Sequence, residues 1–266
     1  IAASALGKAD GAYEAYASAE AFGVLQYGYN DAATLEVTND GTIAATAVSY
    51  ATSHGETADN VAGGYSGYAT AQAYGVYQGG YATGATLGVY NEGTISAKAV
   101  ANALVDGTGT YAYAEAYAFG VVQEADGATA DLSVVNHATI EAMATANGTN
   151  YYATASYITA SAAGVYQYSE ANGTLEVSND GTISAEATVN AIGRTNVPDY
   201  GGATATGVFQ EVTDDASDAS MEVKVIENEP KAMEQSLGYI NEWTGKFQDE
   251  VMQRFKAEMK KRGKDI

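Results

Sequence analysis

The sequence predicts an all-β chain: a parallel β-solenoid of about ten rungs over residues 1–227, with an amphipathic helical cap over 228–266. Three observations predict it. Gly-Val-x-Gln recurs at Gly23, Gly75, Gly120, Gly164 and Gly207, in steps of 52, 45, 44 and 43 residues. Asn-x-Gly-Thr-Ile interleaves with it, starting at Asn39, Asn91 and Asn179, with Asn136-His137-Ala138-Thr139-Ile140 as a variant. Alanine then follows each Thr-Ile at every second position. Self-similarity at such periods marks arrays in which each unit buries its apolar face only against its neighbours.

The strands come from that alternation. Ile95, Ala97, Ala99 and Ala101 are separated by Ser96, Lys98 and Val100, and the pattern repeats from Ile140 and Ile183. Small apolar residues at period two form one buried face of a strand, whereas a helix needs spacings of three and four. The motifs divide each repeat into two rungs. Steps from Gly-Val-x-Gln to the next turn glycine (or Ala138) are 18, 18, 18 and 17, and the returning steps are 34, 27, 26 and 26. Nine rungs result, and Ser220-Met221-Glu222-Val223 starts a tenth. At the strand spacing this is a rod about 45–50 Å long. The longest returning step holds a Gly-rich insertion at Ser53–Gly67, read as a protruding loop. A propeller is the rival, but its blades need four similar strands with bulky faces. Inward alanine brings the opposing layers close and leaves little volume for a cofactor.

Turn residues then stack in ladders: Asn39, Asn91, Asn136 and Asn179 in one, Gln26, Gln78, Gln123, Gln167 and Gln210 in another. Stacked amides hydrogen-bond along the stacking axis, though alternation of the motifs sets members of one ladder two rungs apart. The turn glycines are expected to supply positive φ, and Ala138 to bring strain or a changed turn.

From Asn228 the pattern turns helical. Pro230 suits a first helical turn, and Met233, Leu237, Ile240, Trp243, Phe247, Val251, Phe255 and Met259 form one apolar stripe. Gly238 and Gly245 weaken it, and Lys260, Lys261, Arg262 and Lys264 suit its C-terminal end. The stripe reads as a cap over the last rung, with a partner-docking helix and a fused segment as alternatives.

Charge is uneven. The chain carries −21 overall, with three basic and 24 acidic residues in 1–220 and nine of each in 221–266. So acidic an array repels nucleic acid and anionic lipid. With no cysteine, disulfides and thiolate metal sites are excluded. No apolar run reaches the roughly 20 residues that span a bilayer. A start at Ile1, without Met or a signal peptide, is expected of a mature or excised fragment.

The string Leu-x-Val-x-Asn-x-Gly-Thr-Ile-x-Ala runs from Leu35 to Ala45, Leu87 to Ala97 and Leu175 to Ala185. It resembles the β-solenoid passenger regions of bacterial autotransporters and related large surface adhesins, over roughly residues 10–227. The resemblance implies a right-handed parallel β-helix displayed outside a bacterial cell. The chain departs from that family in lacking a membrane β-barrel, and in its helical tail.

No catalytic constellation is legible. His54 falls in the inserted loop and His137 in a turn, and both read as solvated. A β-helix carbohydrate lyase or hydrolase needs clustered carboxylates beside Arg or Lys, and the array offers only Lys8, Lys98 and Arg194. Asp40, Glu92 and Asp180 recur in one turn, and Asp126, Asp131, Asp214, Asp215 and Asp218 crowd others. Calcium is a weak possibility there, because neither the β-roll nonapeptide nor an EF-hand loop is present; no other cofactor is expected. The tyrosines carry the surface: Tyr68, Tyr74, Tyr111, Tyr113 and Tyr117 are expected to face outward. Such rows either bind sugar rings or another rod, or merely stack and stiffen the sheet.

The sequence therefore points to a non-enzymatic extracellular or cell-surface protein, structural or adhesive, acting by display or self-association. As an adhesin it would present the tyrosines and the 53–67 loop to a glycan or host surface. As a filament subunit it would use a first rung near Ala12–Ala21, which shows no cap signal. A carbohydrate-processing β-helix enzyme is the alternative.

Overall fold

A computed structural model describes residues 1–54, 66–106, 111–150, 155–193, 198–212 and 219–225. The chain divides into Ile1–Val225 and Ile226–Ile266, and the expected helical cap lies outside the described residues. So do the core of the 53–67 loop, Arg194 and Asp214, Asp215 and Asp218. Every regular element among the described residues is a strand: β1 (Ala2–Gly11), β2 (Glu14–Asn39), β3 (Thr42–Ser53), β4 (Ser66–Asn91), β5 (Thr94–Val105), β6 (Tyr111–Ala125), β7 (Thr129–Asn136), β8 (Thr139–Asn150), β9 (Ala155–Ser169), β10 (Asn172–Asn179), β11 (Thr182–Gly193), β12 (Pro198–Val212) and β13 (Ala219–Val225).

All pairings are parallel, in three rows. The first row holds the N-terminal parts of β2 and β4, then β6, β9 and β12; the second holds their C-terminal parts, then β7, β10 and β13. These two rows form one eight-stranded sheet, because β2 and β4 run through the bend between them. The third row is a five-stranded sheet in the order β1, β3, β5, β8, β11. The arrangement fits a parallel β-helix. It excludes a propeller, whose blades are antiparallel.

Register corrects the rung count. Thr94 pairs with Thr42 and Thr139, and Gln78 with Gln26 and Gln123, so each pairing step spans one whole repeat. One repeat is one coil, and its two motifs are not successive rungs. Each row is five strands deep, giving a stack about 20 Å deep at the strand spacing, not the rod of twice that depth expected from ten rungs. Alternation reports which face is buried and says nothing of which strand lies alongside. The alanine faces of the first and third rows meet across the core instead of pairing edge to edge.

That core has three parts. Between the first and third rows lie alanines such as Ala71, Ala99, Ala116 and Ala144, all buried. A Val-Val-Ile column, with Val76, Val89 and Ile95 in one coil and Val121, Val134 and Ile140 in the next, joins all three rows. At the bend between the first and second rows, Leu87, Leu132 and Leu175 stack. Alanine contributes only about 0.8 kcal/mol per buried carbon, so much of the specificity rests on fit and hydrogen bonding.

Fit explains the repeated glycines. A Cβ on Gly120 would lie 2.5 Å from the Gly164 carbonyl oxygen and 2.5 Å from Ile140 Cγ2. Gly93 and Gly181 answer the same demand, since a Cβ would lie 1.9 Å from the Gly41 and 2.1 Å from the Ala138 carbonyl oxygen respectively, whereas a Cβ on Gly41 would meet nothing within 4 Å. The expected positive φ is not found at these turns; among described residues it occurs at Asn30 and Gly173. The changed turn expected at Ala138 is also absent. Ala138 N donates to Asn136 Oδ1 at 3.4 Å, as Gly93 N does to Asn91 Oδ1 at 3.3 Å.

Candidate functional site

Two amide ladders run through the interior. Gln78 Nε2 donates to Gln26 Oε1 at 2.9 Å, Gln123 to Gln78 at 2.9 Å, Gln167 to Gln123 at 2.8 Å and Gln210 to Gln167 at 2.7 Å. Asn39 Nδ2 donates to Asn91 Oδ1 at 2.7 Å, Asn91 to Asn136 at 2.7 Å and Asn136 to Asn179 at 2.6 Å. Ladder members are therefore neighbours along the stack. The asparagines sit at the corner into the third row, as expected; the glutamines lie within strands, and Gln78, Gln123 and Gln167 are fully buried. Backbone carbonyls fix the orientation of each amide, for Gln123 Nε2 also donates to Leu87 O and Ser133 O. Each Gln donates to the preceding coil and each Asn to the following one, so the two rows of amide dipoles oppose one another. A third ladder, Asn102–Asn147–Asn190, runs on the third row, with contacts of 2.8 Å. Its signal in the sequence is an Asn at one offset after Thr-Ile in three repeats. These ladders are structural.

The turn before the third row stacks Asp40, Glu92, His137 and Asp180 through backbone bonds between coils. His137 is exposed, as expected, and it has a partner. Its Nδ1 lies 2.6 Å from Asp180 Oδ1, and its ring meets Tyr90 edge-on at 5.2 Å. It places a neutral or cationic ring where the sister coils carry carboxylates. His54 also has a partner, Asp10, at 3.1 Å, with both side chains well exposed. Among the described residues no three His, Asp or Glu side chains are grouped to hold a metal ion.

The outer face of the first row carries the aromatic groups, in columns set by register. Tyr16, Tyr68, Tyr113 and Tyr157 form one: Tyr16 and Tyr68 stack at 4.6 Å and 3°, Tyr113 and Tyr157 at 4.9 Å and 9°. Phe22, Tyr74 and Phe119 form a second, at 4.8 and 5.4 Å. Tyr27, Tyr29, Tyr77 and Tyr81 close over Gly79, where a Cβ would lie 2.7 Å from the Tyr27 ring. Of the five expected outward tyrosines only Tyr111 is exposed, at 55 %; Tyr68, Tyr74, Tyr113 and Tyr117 are half-buried. Stacking along the columns covers much of their ring faces and leaves rims and hydroxyls toward solvent. Tyr68 and Tyr113 break the pattern at 5.6 Å and 44°. There a groove opens, lined by Tyr16, Ser18, Tyr68, Thr70, Tyr113 and Glu115.

Carboxylates shape the electrostatics of this face. Tyr16 Oη donates to Glu14 at 3.2 Å, and Tyr77 Oη donates to Glu124. Burial, helped by that bond, pushes the Tyr77 phenol well up. Burial first, then Glu20 and Glu124, pushes Tyr74 up to about 12. Burial and a hydrogen bond with Glu115 raise Tyr113. These phenols are neutral donors at neutral pH, and this arrangement offers them no route to general-base or nucleophilic work.

Comparison with known proteins finds no matching family model, no matching curated protein and no matching solved structure. Among the described residues no helix is long and apolar enough to cross a membrane.

Proposed function

We propose that this protein is a non-enzymatic structural and adhesive surface protein, a rigid acidic β-solenoid that displays its first-row aromatic face. The observation that supports it most is the division of labour within each coil. The inside is closed by alanine and amide ladders, while the stacked aromatic rings and the carboxylates that accept from their hydroxyls lie outside. Right-handed winding and an extracellular or bacterial cell-surface location follow from the resemblance to passenger repeats, a helical cap follows from the apolar stripe between Met233 and Met259, and all three belong to this proposal. The solenoid has one coil per repeat, five strands deep.

Sedimentation with negative-stain imaging across a concentration series tests it. A monomer of constant size at every concentration is the expected result. Concentration-dependent fibres would replace display with the filament-subunit reading. Turnover of polysaccharide by the purified chain would overturn the non-enzymatic reading in favour of a carbohydrate-processing enzyme.

A further inference from the structure

The first coil is held along its edge from one side only. Among the described residues β2 pairs with β4 alone, whereas β4 has β2 on one side and β6 on the other. The inward Ala17, Ala19 and Ala21 of β2 are 4–6 % exposed, where their register partners Ala69, Ala71 and Ala73 are sealed at 0 %. An end unit with one neighbour opens more readily than an interior one. The chain has no cysteine, so no disulfide ties this coil down.

Its outer face carries another means. Tyr16 and Tyr68 are register partners on β2 and β4, with ring centroids 4.6 Å apart and planes 3° from parallel. Both side chains leave their strands at equivalent positions, so the rings superpose in the same sense. Each carbon ortho to one hydroxyl then stands about as far from its counterpart as the centroids do. Tyr16 Oη donates to Glu14 at 3.2 Å, which sets a carboxylate to take the phenol proton as an electron leaves. Tyr16 ends the column and is 62 % exposed, so its ring has room to swing out of the stack and meet Tyr68 edge to edge. Other pairs on this face lack one of these features. Tyr113 and Tyr157, at 4.9 Å, are both half-buried within the column. Tyr29 and Tyr81 stand farther apart, at 5.6 Å, and Tyr81 is hydrogen-bonded to Tyr77.

We propose that Tyr16 and Tyr68 are a site of oxidative cross-linking, where a haem peroxidase with hydrogen peroxide joins the two rings, ortho carbon to ortho carbon, and ties the first coil to the second. Each phenol gives one electron to the oxidant and releases one proton, that of Tyr16 to Glu14 and that of Tyr68 to solvent. The two phenoxyl radicals pair to form a carbon–carbon bond. The hydrogen on each bonded carbon then moves to its ring oxygen, which restores two phenols. The two electrons and two protons reduce the peroxide to water, and the chain loses two hydrogens.

The test treats the full chain, at high dilution, with a haem peroxidase and hydrogen peroxide, and maps the products by proteolysis and mass spectrometry. The expected product is a single chain lighter by two hydrogens, with the fluorescence of coupled phenols, whose linked peptides hold Tyr16 and Tyr68. Amide hydrogen exchange across Ala15–Ala21 slows in that product. Tyr16→Phe, which keeps the ring stack, loses the link. Tyr50→Phe, at an exposed tyrosine on β3, keeps it. Glu14→Gln forms it more slowly. Links found only between chains, or at other tyrosines with Tyr16 and Tyr68 unlinked, would overturn the site. Linking of Glu14→Gln at the parent rate would overturn the part given to the carboxylate, and a linked chain with unchanged exchange would overturn the tie.

Discussion

Replacing Gln123 with alanine tests the interior most sharply. Gln123 is fully buried on β6, and its Nε2 serves Gln78 Oε1 at 2.9 Å, Leu87 O at 3.0 Å and Ser133 O at 3.1 Å. Its Oε1 accepts from Gln167 at 2.8 Å. The substitution leaves three buried acceptors without this donor, and Gln167 Nε2 keeps one bond, to Glu176 O at 3.2 Å, while its Oε1 still accepts from Gln210. At roughly 1–3 kcal/mol per orphaned group, and allowing for water entering the space, the cost is about 3–5 kcal/mol. Gln26 at the ladder's end makes one long bond, to Glu36 O at 3.3 Å, and accepts from Gln78, so Gln26→Ala costs about 1 kcal/mol. Urea unfolding followed by far-UV circular dichroism reads both, the midpoint shifting with m unchanged. Gln123→Leu separates polarity from volume and stays destabilised, because the acceptors remain orphaned. Equal costs for Gln26→Ala and Gln123→Ala, or a Gln123→Leu variant as stable as the parent, would refute the reasoning.

Other outcomes follow from the same geometry. Ala116→Val, at the fully buried contact between the first and third rows, costs about 1–3 kcal/mol by overpacking in urea unfolding. Gly120→Ala costs more, since its Cβ would meet backbone at 2.5 Å, and the soluble yield drops. Tyr74→Ala removes stacks on Phe22 and Phe119 and costs about 1–3 kcal/mol, whereas Tyr111→Ala, exposed at 55 %, shifts the midpoint by no more than about 0.5 kcal/mol. Alkaline pH acts through the raised phenols. Because the folded pKa of Tyr74 lies above its ordinary value, the stability linked to it is complete below pH 10.0 and is lost as pH rises toward about 12. Spectrophotometric titration of phenolate shows Tyr74→Phe removing a late-ionising group; an unchanged high-pH limb would contradict the burial of this ring.

Much of the fold was readable because its signals are local. The alternation of Ile95, Ala97, Ala99 and Ala101 reports one buried face, and all four are buried on β5. Asn39 and its successors were readable as a ladder because identical residues at one offset in every repeat must stack if the repeats do. Coil size was not readable. The distance from Gly120 to Ala138 says how far apart two motifs lie along the chain, and the same distance suits two stacked rungs or two faces of one coil. Sheet register decides, and register is a long-range property. The state of the tyrosines was open for a related reason. Alternation places Tyr68 and Tyr113 outside, but whether their faces meet solvent or one another depends on ring tilt, set by neighbours 45 residues away. Nor does the composition of one turn show that His137 lies against Asp180 of the next coil.

The absence of cysteine in the chain makes the central structural claim directly measurable. If one repeat is one coil, Ser96 and Glu141 are partners on adjacent strands β5 and β8, with outward side chains. Neighbouring strands stand about 4.8 Å apart, within disulfide reach. The measurement is oxidation of the double variant Ser96→Cys, Glu141→Cys beside Ser96→Cys, Val122→Cys, whose positions would adjoin if each repeat formed two rungs. One coil per repeat predicts intramolecular disulfide in the first variant and free thiols in the second. The reverse pattern would contradict it.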